Sequence, residues 1–84
     1  MSKKYRILHV DDEIDTLKVV QTILEKEGFQ VVSARDAKTA LKEIDATPFD
    51  LILLDIMMPD VSGWELFTRL AKINPDFKVI FLTV

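Results

Sequence analysis

Asp11, Asp12 and Asp55 are the residues of this chain best suited to chemistry. Asp11 and Asp12 follow an apolar run over residues 5–10, and Asp55 closes a second apolar run over 51–54. Carboxylates gathered in one pocket repel one another and raise at least one pKa unless a cation offsets them. A hard divalent ion is their natural partner, and Mg²⁺ suits a few carboxylates, a carbonyl and several retained waters. An aspartate beside Mg²⁺ can act as the nucleophile toward a phosphoryl group. The ion and any nearby cation then neutralise charge on the equatorial oxygens. Thr83, ending a further apolar run, offers a hydroxyl that can donate to a new phosphoryl group. Each residue taken alone has a plainer reading. Asp12 precedes a helical stretch and reads as an N-cap, Asp55 as a turn residue, and Thr83 as a β-former. Capping explains neither the acid pair nor the Met57-Met58-Pro59 that follows Asp55.

These residues need elements to hold them. The run over 5–10 breaks at Asp11-Asp12-Glu13, as a strand ending at a surface loop does. Ile14, Leu17, Val20, Ile23 and Leu24 then recur at helical spacing, and Gly28 sits where a left-handed C-terminal cap is wanted. Residues 30–34 form a brief second strand. Asp36 is a good N-cap for a helix carrying Ala37, Ala40, Leu41 and Ile44, which Pro48 ends. The continuous apolar run over 51–54 marks a strand buried on both faces. Ser62 and Glu65 make a capping box for a third helix with Leu66, Phe67, Leu70 and Ile73. Asn74-Pro75-Asp76 terminates it, and residues 78–83 form a fourth strand. The βαβαβαβ order predicts a parallel sheet with right-handed crossovers. A polar second strand suits an edge, so the expected strand order is 2-1-3-4. The chain reverses direction between strands one and three, and sites in open α/β sheets form at such a point. Asp11, Asp12, Asp55 and Thr83 all fall on that rim.

Composition narrows the function classes. Eighty-four residues, 49% hydrophobic and 30% charged, make one small folded domain. No apolar run approaches the roughly 20 residues that span a bilayer, and the first residues meet acids too soon for a signal peptide. The absence of cysteine fits a cytoplasmic location. A net charge of −3 gives nucleic acid no electrostatic reason to bind, so Lys3, Lys4 and Arg6 read as a solvated cluster. His9 reads as a half-buried, hydrogen-bonded core histidine. Met57 and Met58 read as loop residues whose side chains pack locally, and Trp64 as packing at a helix start.

The segments His9-Val10-Asp11-Asp12-Glu13, Asp55-Ile56-Met57-Met58-Pro59-Asp60-Val61-Ser62-Gly63-Trp64-Glu65-Leu66 and Phe81-Leu82-Thr83 resemble the receiver domain of two-component response regulators. The resemblance runs over nearly the whole chain. It implies a flavodoxin-like fold and transfer of a phosphoryl group from a histidine kinase to an aspartate. By position, Asp55 is the acceptor, Asp12 a direct Mg²⁺ ligand and Asp11 a ligand through water. The backbone carbonyl of Met57 completes the protein ligands, and Thr83 is the switch hydroxyl. By the same resemblance, residues 1–84 are an incomplete receiver, lacking helix 4, strand 5, helix 5 and the lysine that pairs with the phosphoryl group. Two functions are therefore carried forward. One is a Mg²⁺-dependent phosphoacceptor with a histidine kinase as partner. The other is a structural module that self-associates through an exposed fourth strand and an uncovered sheet face. An enzyme of phosphate chemistry is disfavoured, because Asp60, five residues on behind a proline, is poorly placed as a second catalytic acid.

Overall fold

The computed structural model describes residues 4–58 and 62–82. The elements are β1 (Arg6–Val10), α1 (Ile14–Lys26), β2 (Gln30–Ala34), α2 (Ala37–Ala46), β3 (Leu51–Asp55), α3 (Gly63–Ile73) and β4 (Val79–Leu82). The four strands form one parallel sheet in the order β2-β1-β3-β4, the α/β, flavodoxin-like arrangement expected. No helix among the described residues is long and apolar enough to cross a membrane.

The core follows from the alternation of side chains along each strand. Leu8 and Val10 of β1, Ala34 of β2 and Ile52 and Leu54 of β3 turn to one face. There they meet Ala37 and Ala40 of α2 and Leu66 and Leu70 of α3. Ile7 and His9, one residue out of phase, take the opposite face. The middles of β1 and β3 are buried on both faces; β3 accordingly reads as an unbroken apolar run over 51–54, whereas β1 holds His9 among its apolar residues.

Local structure departs from the local sequence signals in three places. Glu13, not Asp12, occupies the N-cap of α1, and it makes no side-chain cap. The Ser62 box is half formed: Ser62 Oγ accepts from the Glu65 amide at 3.2 Å, while the Glu65 carboxylate turns outward to Arg69 at 3.5 Å. Ile14 and Ile23, expected on the core face of α1, are about half exposed, and Leu17 is that helix's buried residue. Helix α1 lies chiefly against the edge strand β2, and Ile14 and Ile23, nine residues and so about half a turn apart around the axis, fall on opposite flanks of the face that Leu17 buries. Trp64 packs as expected on Phe81, at 4.5 Å between ring centroids, yet remains largely exposed. The expected caps at Asp36 and Gly28 are present. Asp36 accepts from the Thr39 amide at 2.7 Å, and Gly28 has φ +94°.

Candidate functional site

The pairing of β1 with β3 sets the site. Val10 lies opposite Leu54, so the residues that follow, Asp11 and Asp55, emerge level with each other at the carboxyl ends of adjacent strands. Asp12 comes one residue later. One ligand atom from each of Asp11, Asp12 and Asp55 lies within 4.8 Å of the others, the only such acidic group among the described residues. With Glu13 at the N-cap of α1, Asp12 lies outside the helix-capping geometry and on this rim.

Backbone amides orient two of the three carboxylates. Asp11 Oδ1 accepts from the Glu13 amide at 2.9 Å, and Asp55 Oδ1 accepts from the Met57 amide at 3.1 Å. The plain turn reading of Asp55 is thus present together with the cluster, since the same carboxylate does both. Burial pushes the Asp55 carboxyl above its ordinary pKa; the Met57 amide opposes this, and the charges of Asp11 and Asp12 add to it. A corner that raises the pKa of its central acid is one that a cation would relieve, and all-oxygen donors of this number suit Mg²⁺. The residues present therefore fit that ion.

Gly63 sits against this corner. Its amide donates to the Ile56 carbonyl at 3.0 Å, and a Cβ placed on it would lie 2.4 Å from the Asp55 carbonyl oxygen. Helix α3 can start this close to the acceptor strand only because residue 63 has no side chain. Nothing in the sequence spacing signals that approach.

His9 differs from expectation. It is fully buried rather than half-buried, and neither ring nitrogen has a hydrogen-bond partner among the described residues. It lies on the sheet face opposite Leu8 and Val10, in register with Ser33 of β2 and Leu53 of β3. Burial lowers the imidazole pKa, with the charge of Asp11 opposing the shift. Met58 packs locally as expected, against the apolar core, whereas the Met57 side chain is 80% exposed. Thr83 and the segment 59–61, including Asp60, lie outside the described residues. Two large surface depressions, about 790 and 610 Å³, lie where the strands begin, and none of the three clustered acids lines them.

Residues 7–84 match the Response regulator receiver domain family. The chain belongs to that family. It is a receiver of two-component signalling rather than a classical enzyme. It is 40% identical over 77 residues to the response regulator SaeR of Staphylococcus epidermidis, a match covering 92% of this chain and 33% of that protein. It is 37% identical over 78 residues to the receiver protein CpdR of Brucella abortus, covering 93% and 65% respectively. The chain thus spans about a third of the length of SaeR and about two thirds of CpdR. Among solved structures, the receiver resembles the response regulator TrrA of Thermotoga maritima in complex with Mg²⁺-BeF. The TM-score is 0.89 at 38% identity, over 94% of this chain and 69% of that one. TrrA has also been crystallised in complex with the histidine kinase ThkA; there the likeness has a TM-score of 0.89 at 38% identity, over 95% and 69%.

Proposed function

We propose that this receiver accepts a phosphoryl group on Asp55 from a phosphohistidine of a histidine kinase, in a Mg²⁺-dependent reaction. The observation that carries the reading is the convergence of Asp11, Asp12 and Asp55 within 4.8 Å at the ends of β1 and β3. The likeness to TrrA, crystallised both with Mg²⁺-BeF and with a histidine kinase, supports it.

The Met57 amide holds Oδ1 of Asp55, which makes the other oxygen the one available to the phosphoryl group. That oxygen forms the new O–P bond as the P–N bond to the donor imidazole breaks, and the departing nitrogen keeps the bonding pair and takes up a proton. Asp12 is the direct ligand of Mg²⁺ and Asp11 a ligand through water, with Asp55 and the Met57 carbonyl completing the set. When bound, the ion supplies positive charge against the phosphoryl oxygens. Thr83 is the hydroxyl that responds to phosphorylation. The same reading puts the transfer in the cytoplasm.

Incubation with acetyl phosphate and Mg²⁺ tests this, followed by intact-mass measurement of the wild type and Asp55→Asn. One phosphoryl group on the wild type and none on the variant is expected; equal labelling of both refutes Asp55 as acceptor. A second reading rests on Ile80, half exposed on β4 at the edge of the described sheet. Such an edge can pair with another copy. Sedimentation that shows the same monomer for wild type and Ile80→Lys removes that reading.

A further inference from the structure

The strongest feature not absorbed by the phosphoacceptor chemistry is the buried histidine beneath it. Buried polar nitrogens are nearly always hydrogen-bonded, and those that are not need a reason. His9 has 0% exposure, and Nδ1 and Nε2 both lack a partner. An apolar residue would fill this place in β1 at no such cost. The ring is nonetheless aimed at the acids: Nε2 lies 3.7 Å from Asp11 Oδ2. That is beyond hydrogen-bond length, but a small rotation of the Asp11 carboxylate would close it.

We infer that His9 is a positioning residue for the metal corner, donating from Nε2–H to Asp11 Oδ2 when the corner is loaded. Oδ1 of Asp11 is already held by the Glu13 amide at 2.9 Å. With Nε2–H on the second oxygen, both ends of the carboxylate are tied and its plane is set. Each oxygen keeps lone-pair capacity for a cation or for that cation's water. Outer partners of this kind orient metal-binding carboxylates and raise affinity without touching the ion. Asp11, only 6% exposed, has little access to solvent that could do the same work. The inference rests on the phosphoacceptor reading, because it assumes that the three acids hold Mg²⁺.

The test compares wild type, His9→Leu and His9→Gln in Mg²⁺ titrations by calorimetry, with thermal unfolding measured in the absence of the ion. Leucine fills the space without a donor, and the glutamine amide nitrogen can reach the place of Nε2. His9→Leu is expected to weaken Mg²⁺ binding about tenfold while its metal-free Tm stays level or rises. His9→Gln is expected to recover most of the affinity. Unchanged affinity in His9→Leu overturns the inference, as does equal weakening in both variants that tracks a fall in Tm. Wild-type protein that binds no Mg²⁺ overturns the phosphoacceptor reading itself, and the inference with it. ¹⁵N spectra of the Mg²⁺-loaded wild type give a check that needs no variant. A proton on Nε2 is expected, and a ring protonated at Nδ1 alone refutes the assignment.

Discussion

Replacing Gly63 with alanine tests the link between helix packing and the acceptor strand. The added methyl would lie 2.4 Å from the Asp55 carbonyl oxygen, 2.7 Å from Ile56 Cα and 3.0 Å from the Asp55 carbonyl carbon. The shortest of these is about 1 Å inside the 3.4 Å at which ordinary contact begins. All three atoms are backbone, so no rotamer change relieves the clash. Moving α3 away is also resisted, because Leu66 and Leu70 anchor it with 0% and 1% exposure. Its first amide is bonded to Ile56 as well. Overpacking of a filled site costs typically 1–3 kcal/mol, and a clash on two immobile backbones belongs at about 3 kcal/mol. For a domain of this size each kcal/mol shifts Tm by roughly 4–8 °C, so a fall of about 12–24 °C is expected. Gly28→Ala is the matched control. Gly28 has φ +94° with open space around it, so its cost is backbone strain alone, about 1–2 kcal/mol. Urea unfolding followed by circular dichroism measures both. Because Gly63→Ala also displaces the Asp55–Ile56 backbone, it should weaken Mg²⁺ binding, whereas Gly28→Ala should not. A Gly63→Ala variant within about 0.5 kcal/mol of wild type, the range of an ordinary surface change, would show the reasoning to be wrong.

Three further predictions concern charge. Asp55 has a raised pKa in the fold, so its ionisation opposes folding, and its contribution to stability declines as pH rises through the ordinary aspartate value of 3.8 and above. Asp55→Asn should therefore raise the metal-free Tm at pH 7; a lower Tm contradicts this. Asp36 has the opposite sign, because the Thr39 amide lowers its pKa. Its stabilisation is complete above the ordinary value of 3.8 and lost as pH falls below it. Subtracting the pH–stability curve of Asp36→Ala from that of wild type should expose a difference that shrinks in that window, and a constant difference would refute the capping role. Mg²⁺ at about ten times its Kd should stabilise the wild type by about 1.4 kcal/mol through mass action. Asp12→Asn should abolish most of that gain, and an undiminished Mg²⁺-induced Tm shift would remove Asp12 from the ligand set.

Much of this receiver was legible in its residues because the signals are local. The short apolar run before Asp11 and the unbroken one over 51–54 mark two strands, the second covered on both faces, and Asp36 and Gly28 punctuate helices through bonds and dihedrals that span a few residues. Strand order followed from pattern as well, since the polar β2 suits an edge, and that order places Asp11 and Asp55 at the ends of adjacent strands. Where local rules pointed elsewhere, packing decided. Asp12 has the chemistry of an N-cap, but α1 starts one residue later and leaves it on the rim. Ile14 and Ile23 look like members of one stripe, yet they lie on opposite flanks of the face that Leu17 buries, and both stay about half exposed. Glu65 completes a capping box on paper and pairs with Arg69 instead. His9 is the clearest case. Its type permits a hydrogen-bonded core residue, a ligand or a support. The choice depends on a distance of 3.7 Å to Asp11 and on the closure of β2 and β3 around it. The acids of this corner and the order of their strands were determined by the sequence itself, because carboxylate type and apolar period are properties of short segments. Burial of the histidine below them and the close approach of Gly63 were decided by the tertiary structure, because both depend on segments distant in the chain meeting at van der Waals range.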